Sequence, residues 1–270
     1  MINFFRMDMR RMIRSRWFYL TPAIVGGLLL FSFFLLKLVM EPELAAKLAQ
    51  AGIVVISGNG ANDAADAALL LGGSLENLLG GMLFSGGMMA SILVIISSIL
   101  VCEDFRCGFI KNVFSGQTKR GNYIMGKMLA FSALNLIYML VFLLIVCALN
   151  VLMGFFVPLG NLKRLTMLML AGWLLIDALI AQNLLFCMLT RNAIVGSILS
   201  ILCAAGVVSR GITVVAGLFS IDLAPFLLGD LLVALTDAGQ IPVATLIVAA
   251  GWLAVYMILA LVVLKRRDVA

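Results

Sequence analysis

The sequence has no histidine and few charged residues, and each shortage excludes classes of protein. Without histidine, histidine-based catalysis, imidazole proton relays and imidazole metal sites are excluded. Charged residues make up 12% of the 270 residues, whereas hydrophobic residues make up 64%. A soluble protein of this length could not bury so much apolar surface in one core. The composition therefore predicts an integral membrane protein.

The cysteines also lack the pattern of a disulfide framework or a structural zinc site. Their number is odd, they lie within or beside apolar runs, and no close CxxC pair occurs. This pattern is typical of small apolar packing residues. The cysteines are Cys102, Cys107, Cys147, Cys187 and Cys203.

Six largely uncharged stretches are long enough to cross a bilayer, since about 20 apolar residues span about 30 Å of hydrocarbon. We predict an all-α protein in which residues 1–270 form a single transmembrane domain with six spans. The spans are predicted at about residues 18–39, 79–102, 127–150, 165–190, 192–214 and 241–264.

The positions of Lys and Arg predict the orientation, because cytoplasmic loops carry an excess of both residues. With both termini in the cytoplasm, most of the basic residues fall on the cytoplasmic side and most acidic residues fall outside. The net charge of +6 is then a sign of topology in a cell membrane, and no nucleic-acid partner is predicted. The basic residues on the cytoplasmic side are Arg6, Arg10, Arg11, Arg14, Arg16, Arg106, Lys111, Lys119, Arg120, Lys127, Arg191, Lys265, Arg266 and Arg267.

Residues 1–17 predict a cytoplasmic helix that lies on the membrane surface. Arg6, Arg10 and Arg14 recur every four residues, and the apolar residues fall near another face. The cations would then face anionic lipid headgroups or a protein partner. A plain basic anchor that only sets the topology explains the charges equally well.

Two segments are predicted on the outer side. Residues 41–76 form the longest polar excursion and are interpreted as a solvated loop. Residues 217–238 contain Pro225 and an apolar run that is too short to cross, so they predict a re-entrant or interfacial hairpin.

Residues 103–126 are the most informative stretch outside the spans. Phe105, Phe109 and Val113 recur every four residues, which predicts a short amphipathic helix on the cytoplasmic surface. A break and a basic turn follow and lead into the third span.

This stretch resembles the ABC-2-type permease family, the membrane subunits of ATP-binding-cassette exporters. The resemblance also covers the basic N-terminal segment, the six spans, the outer hairpin and the basic tail. The chain departs from many members at Phe109, where they have Thr, and at 116–117, where they have Pro; these departures leave the subfamily open. The matching residues are Glu103, Gly108, Ile110, Lys111, Asn112, Ser115, Arg120, Tyr123, Gly126 and Lys127.

The resemblance implies that residues 103–127 form a coupling helix that docks on a cytoplasmic ATPase subunit. It also implies an N-terminal elbow helix and a second permease subunit, so that the transporter is a homodimer or a heterodimer. The residues implied in coupling are Glu103, Asp104, Arg106, Gly108, Lys111, Asn112 and Arg120.

No catalytic residue, metal site or bound cofactor is predicted in this chain. Residues 121–127 match GxxxxGK, but Met128 replaces the Ser or Thr of a phosphate-binding loop, and no strand precedes the run. Lys127 is interpreted as a cation at the membrane border. ATP and magnesium are expected on the partner subunit.

Asp177 and Arg210 form a predicted intramembrane polar site. An ionised carboxylate in the middle of a span costs several kcal/mol unless it is paired or hydrated. Arg210 is a candidate partner, but helix lengths place it near the outer interface. Asp177 can instead be protonated, bonded to Asn135, Gln182 or Asn183, or exposed to a hydrated cavity.

The sequence therefore leads to two functional hypotheses. The first is the permease subunit of an ATP-driven exporter for a hydrophobic or amphipathic substrate, such as an antimicrobial peptide, another antibiotic or a lipid-like molecule. The short outer loops favour export or extraction from the membrane. The alternative is an ATP-independent secondary transporter or membrane scaffold that uses Asp177.

Overall fold

The computed structural model of the protein describes residues 2–40, 75–84, 87–109, 120–154, 160–220, 222–235 and 242–266. These ranges are helical and contain no strand, which confirms the all-α class for the described part of the chain. The α-helices in these ranges are α1 (Ile2–Arg14), α2 (Arg16–Met40), α3 (Leu75–Leu79), α4 (Met88–Arg106), α5 (Arg120–Leu152), α6 (Leu162–Thr190), α7 (Ala193–Ala204), α8 (Val207–Gly217), α9 (Leu228–Ala234) and α10 (Val243–Arg266).

The described helices form four to six candidate membrane spans. The helices α4, α5, α6 and α10 are each long and apolar enough to do so alone. Two bent pairs raise the number to six if each pair is one span: α1 with α2, bent by 57°, and α7 with α8, bent by 54°. The predicted six spans correspond to the upper limit of this range.

Two of the predicted spans are broken at glycines. The fifth, predicted as one helix over 192–214, consists of α7 and α8, and Gly206 between them has a φ of 74°. The second begins as α3 and a π-helical turn (Gly80–Phe84) before α4 starts after Gly87, which has a φ of 67°. The two breaks are in direct contact, because a Cβ atom added to Gly87 would lie 2.3 Å from the carbonyl oxygen of Ala204, at the end of α7.

Helix α6 is the centre of the bundle. It packs against α4, α5, α7, α9 and α10, and most of its side chains from Leu175 to Met188 are buried. The Asn161 side chain caps its start by accepting a hydrogen bond from the Lys163 amide. At its other end the Asn192 side chain caps α7 in the same way, so that a short turn reverses the chain.

The solvent-accessible surface around the helix bundle is strongly apolar. Large apolar side chains are exposed on α2, α5, α7, α8 and α10, with Leu144, Ile194 and Ile247 about two thirds exposed. Water would not favour so large an apolar area, whereas lipid chains would. The surface therefore agrees with a membrane protein.

The predicted outer segments are described in part. Of the loop 41–76 only residues 75 and 76 lie within the described residues, and they begin α3. Within the hairpin 217–238 the chain forms a 3-10 turn (Ala224–Phe226) followed by α9.

Candidate functional site

A group of charged side chains and one tyrosine joins α1 to the last turn of α4 and the first turns of α5. We call it the charged cluster, and its members are Asp8, Arg11, Glu103, Asp104, Tyr123 and Lys127.

Asp104 is the centre of the charged cluster and is 0% exposed. Its Oδ2 accepts a hydrogen bond from Tyr123 Oη at 2.9 Å and forms an ion pair with Lys127. Its Oδ1 forms an ion pair with Arg11, which also reaches Glu103 at 2.7 Å. Both carboxylate oxygens of Asp104 are therefore satisfied by donors from two other helices.

Helical periodicity places these groups together. Tyr123 and Lys127 are four residues apart and therefore share one face of α5. Lys127 is 1% exposed, and its Nζ lies 5.1 Å from the centre of the Tyr123 ring. Lys127, which was predicted as a cation at the membrane border, is thus buried and paired with Asp104. Residues 121–127 are helical, so the GxxxxGK match is not a loop.

Asp8 adds a buried carboxyl group from α1. Its side chain is buried, and its Oδ2 has no hydrogen-bond partner among the described residues. Burial raises the pKa of Asp8 above its usual 3.8, and Asp104 raises it further, whereas Lys127 and Arg11 act in the opposite direction. Asp8 therefore keeps its proton to a higher pH than an exposed aspartate does.

We expect the substitution Asp8→Asn to raise the thermal stability of the protein at pH 7 but not at pH 4. Because the pKa of Asp8 is higher in the folded than in the unfolded state, its stabilisation is complete below about pH 3.8 and is lost as pH rises through the folded pKa. The uncharged variant avoids this loss. Unfolding temperatures at both pH values check this expectation, with Asp222→Asn, a change of an exposed aspartate, as the control. An equal effect of Asp8→Asn at both pH values would contradict it.

The other predicted coupling residues are described only in part. Glu103 and Arg106 line a cavity of about 500 Å³, together with Arg191 and Asn192 from the turn between α6 and α7. Gly108 follows the end of α4 with a φ of 64°. Lys111 and Asn112 lie outside the described residues, and Arg120 is the first residue of α5.

The segment for which a surface helix is predicted contains the helix α1. Arg6, Arg10 and Arg14 are exposed, whereas Met12 is buried in the same core as Phe33 and Tyr123. The helix packs against α5 and α2. Its basic face is therefore available to a partner or to a lipid surface.

Arg210, the candidate partner that helix lengths disfavoured, does not pair with Asp177 among the described residues. Asp177 is buried and accepts hydrogen bonds from Ser132 Oγ and from Asn135 Nδ2, the latter at 2.8 Å. Asn135 is one of the alternative partners that the sequence offered. Arg210 lies on α8, beyond the break, and is exposed.

A second polar network, centred on Asn183, was not predicted as a unit. Asn183 is buried; its Oδ1 accepts from Ser98 at 2.8 Å and from Ser200 at 3.1 Å. Its Nδ2 donates to Ser97 Oγ at 2.8 Å and to the Val94 carbonyl at 3.1 Å. The single amide therefore joins α4, α6 and α7. The sequence shows three serines and one asparagine in apolar spans, which could have indicated a polar network. It does not show that the four side chains lie at the same level on neighbouring helices.

No family model, no curated protein and no solved structure matches the chain. In the described ranges, no group of three or more Cys, Asp or Glu is placed to hold a metal ion.

Proposed function

We propose that this chain is the membrane permease subunit of an ATP-driven exporter, similar to the ABC-2-type permeases. The observation that carries the proposal is the charged cluster. It fixes α1 to the end of α4 and the start of α5, and these two helix ends flank residues 107–119. A partner that moves this segment would therefore act on three helices at once.

The distribution of basic residues supports a cytoplasmic position for the charged cluster. Arg6, Arg10, Arg106 and Arg191 lie on the elements that meet at this end of the bundle, and Lys265 and Arg266 end α10. Gly121 lies beside Leu261, which places the end of α10 next to the start of α5. By the positive-inside rule, this end faces the cytoplasm.

The proposed mechanism needs a rigid connection, and a buried ion pair supplies one. Lys127 and Asp104 lie in a low-dielectric environment where separating them is costly. ATP binding to the partner would shift residues 103–127, and the charged cluster would transmit the shift to α1 and α5. The bundle, paired with a second permease subunit, would then open outward for a hydrophobic or amphipathic substrate.

Affinity purification of the full chain from its native membranes in mild detergent tests the proposal. A stoichiometric cytoplasmic ATPase in the eluate, identified by mass spectrometry, would support it. The absence of such a subunit, under conditions that keep other membrane complexes intact, would contradict it. That result would favour the ATP-independent hypothesis, for which the buried carboxylate of Asp177 is the specific observation.

We expect Lys111→Glu or Arg120→Glu to lower substrate-stimulated ATPase activity of the complex roughly tenfold or more, because a reversed charge at a docking surface adds repulsion. Reconstituted complexes in lipid nanodiscs allow ATPase activity and substrate transport to be measured together. Lys163→Glu, an equal change of charge at the start of α6, is the matched control and should leave both unchanged. Normal stimulated activity in both variants would refute the coupling role.

A further inference from the structure

The cavity of about 500 Å³ beside the end of α4 lies at the end of the bundle that we assign to the cytoplasm. It is formed between the last turns of α4 and the turn that joins α6 to α7. We call it the basic cavity, because Arg106 from α4 and Arg191 from the turn both line it. Its volume falls within the range of ligand pockets, about 300–1,000 Å³.

Two guanidinium groups give the basic cavity its charge. Arg106 and Arg191 are exposed side chains, so an anion that enters the cavity can reach both. Glu103 also lines the cavity, but its carboxylate is paired with Arg11 at 2.7 Å. A guanidinium group can bind two phosphate oxygens through parallel hydrogen bonds, which suits arginine to this anion. The charge of the basic cavity therefore favours a phosphate group.

The start of α7 adds to this preference. Ala193 and Ile194, the first two residues of α7, line the basic cavity. The N-terminus of a helix carries a partial positive charge, which attracts anions. This charge therefore has the same sign as that of the two arginines.

Helices α4 and α7 are neighbours that run in opposite directions. They pack against each other, and the start of α4 at Gly87 contacts the end of α7 at Ala204. At the other end of the pair, Arg106 and Arg191 line the same cavity. A groove between the two helices therefore leads from the basic cavity into the membrane.

Exposed apolar side chains continue from the basic cavity along both helices. On α7, Ile194, Ile198 and Leu202 are spaced four residues apart, so they share one face, and all three are exposed. On α4, Ile95 and Ile99 have the same spacing, and Ile95 is exposed. Because Ile99 and Ile194 both line the basic cavity, the two apolar rows begin at its wall.

We propose that the basic cavity binds the headgroup phosphate of an anionic phospholipid, whose acyl chains lie along the apolar rows of α4 and α7. Basic pockets between membrane helices on the cytoplasmic side are suited to such headgroups. A zwitterionic lipid has the same phosphate but adds an ammonium group, which the two guanidinium groups repel. The site needs no ATPase partner, so its failure would leave the exporter proposal untouched.

Native mass spectrometry of the full chain alone, purified in detergent micelles, measures the affinity for added lipid. Phosphatidylglycerol and phosphatidylcholine with identical acyl chains are the lipid probes, and glycerophosphoglycerol is the anionic headgroup without acyl chains. We expect phosphatidylglycerol to bind roughly tenfold or more tightly than phosphatidylcholine, because the ammonium group meets like charges. Glycerophosphoglycerol should compete poorly, because it cannot use the apolar rows.

Two variants test the arginines. Arg106→Gln and Arg191→Asn should each weaken binding of phosphatidylglycerol roughly tenfold, because each removes a charged hydrogen-bond donor. Asparagine is chosen at 191 because this residue has a φ of 53°, a conformation that asparagine adopts more readily than most residues. Arg210→Gln, an equal change of charge at an exposed arginine of α8, is the matched control and should leave binding unchanged.

Three results would each overturn the proposal. Equal binding of the two lipids would show that the basic cavity does not select an anionic headgroup. Equal losses in Arg210→Gln and in the cavity variants would show that overall charge attracts the lipid. Competition by glycerophosphoglycerol at the same concentration as the lipid would show a site for a free anion. The wild-type comparison of the three probes stands alone if a variant does not fold.

Discussion

We expect Asp104→Leu to lower the free energy of unfolding by about 3–5 kcal/mol, the range for breaking a buried ion pair by removing one partner. The substitution leaves Lys127, which is 1% exposed, without its ion-pair partner. It also removes the acceptor for Arg11 and Tyr123. Unfolding in mixed micelles with increasing denaturing detergent, followed by tryptophan fluorescence, measures the loss.

Two further variants separate the ion pair from general damage to the bundle. The double variant Asp104→Leu with Lys127→Leu should recover most of the stability, because neither charge is then buried alone. Glu103→Gln should cost less than about 1 kcal/mol, because its contact with Arg11 is exposed to solvent. Additive losses in the double variant would show that Asp104 and Lys127 are not coupled.

We expect Asn183→Leu to destabilise the protein by about 2–3 kcal/mol, from four hydrogen bonds at roughly 0.6 kcal/mol each inside a membrane. The loss leaves Ser97, Ser98 and Ser200 without their shared partner. Because these serines lie on two other helices, the contacts of α6 with α4 and α7 should weaken together. The same unfolding experiment measures the effect.

Thr190→Val is the matched control for Asn183→Leu. Thr190 is exposed near the end of the same helix and bonds to nearby backbone groups only, so its replacement should change stability by less than about 0.5 kcal/mol. Equal losses in the two variants would argue against a special role for the Asn183 network.

The helical class could be predicted because the number and the length of the apolar stretches can be read directly from the sequence. The sequence did not predict the breaks. Gly206 lies in an apolar run, and a hydropathy sum does not register a single positive φ. Likewise, α3 packs against α5 and α6, a contact that no local sequence pattern encodes.

The candidate site was predicted by position but not by partner. The motif near Glu103 included Asp104 and Lys127, but no local pattern indicates that the two side chains pair. Burial of that lysine depends on its ion pair with Asp104, which lies 23 residues away along the chain. The energetic cost of an ionised Asp177 inside a span was also predicted from the sequence. Its hydrogen bond from Ser132 was not, because that contact depends on the register of α5 against α6.

The charged cluster also sets an order of events during synthesis. Arg11 precedes Asp104 by 93 residues, and the chain grows at about 5–20 residues per second. For roughly 5–20 s after Arg11 is synthesised, Asp104 does not yet exist, so α1 cannot form the ion pair that anchors it. Its docking is a late step of assembly, completed only when α4 and the start of α5 have left the ribosome.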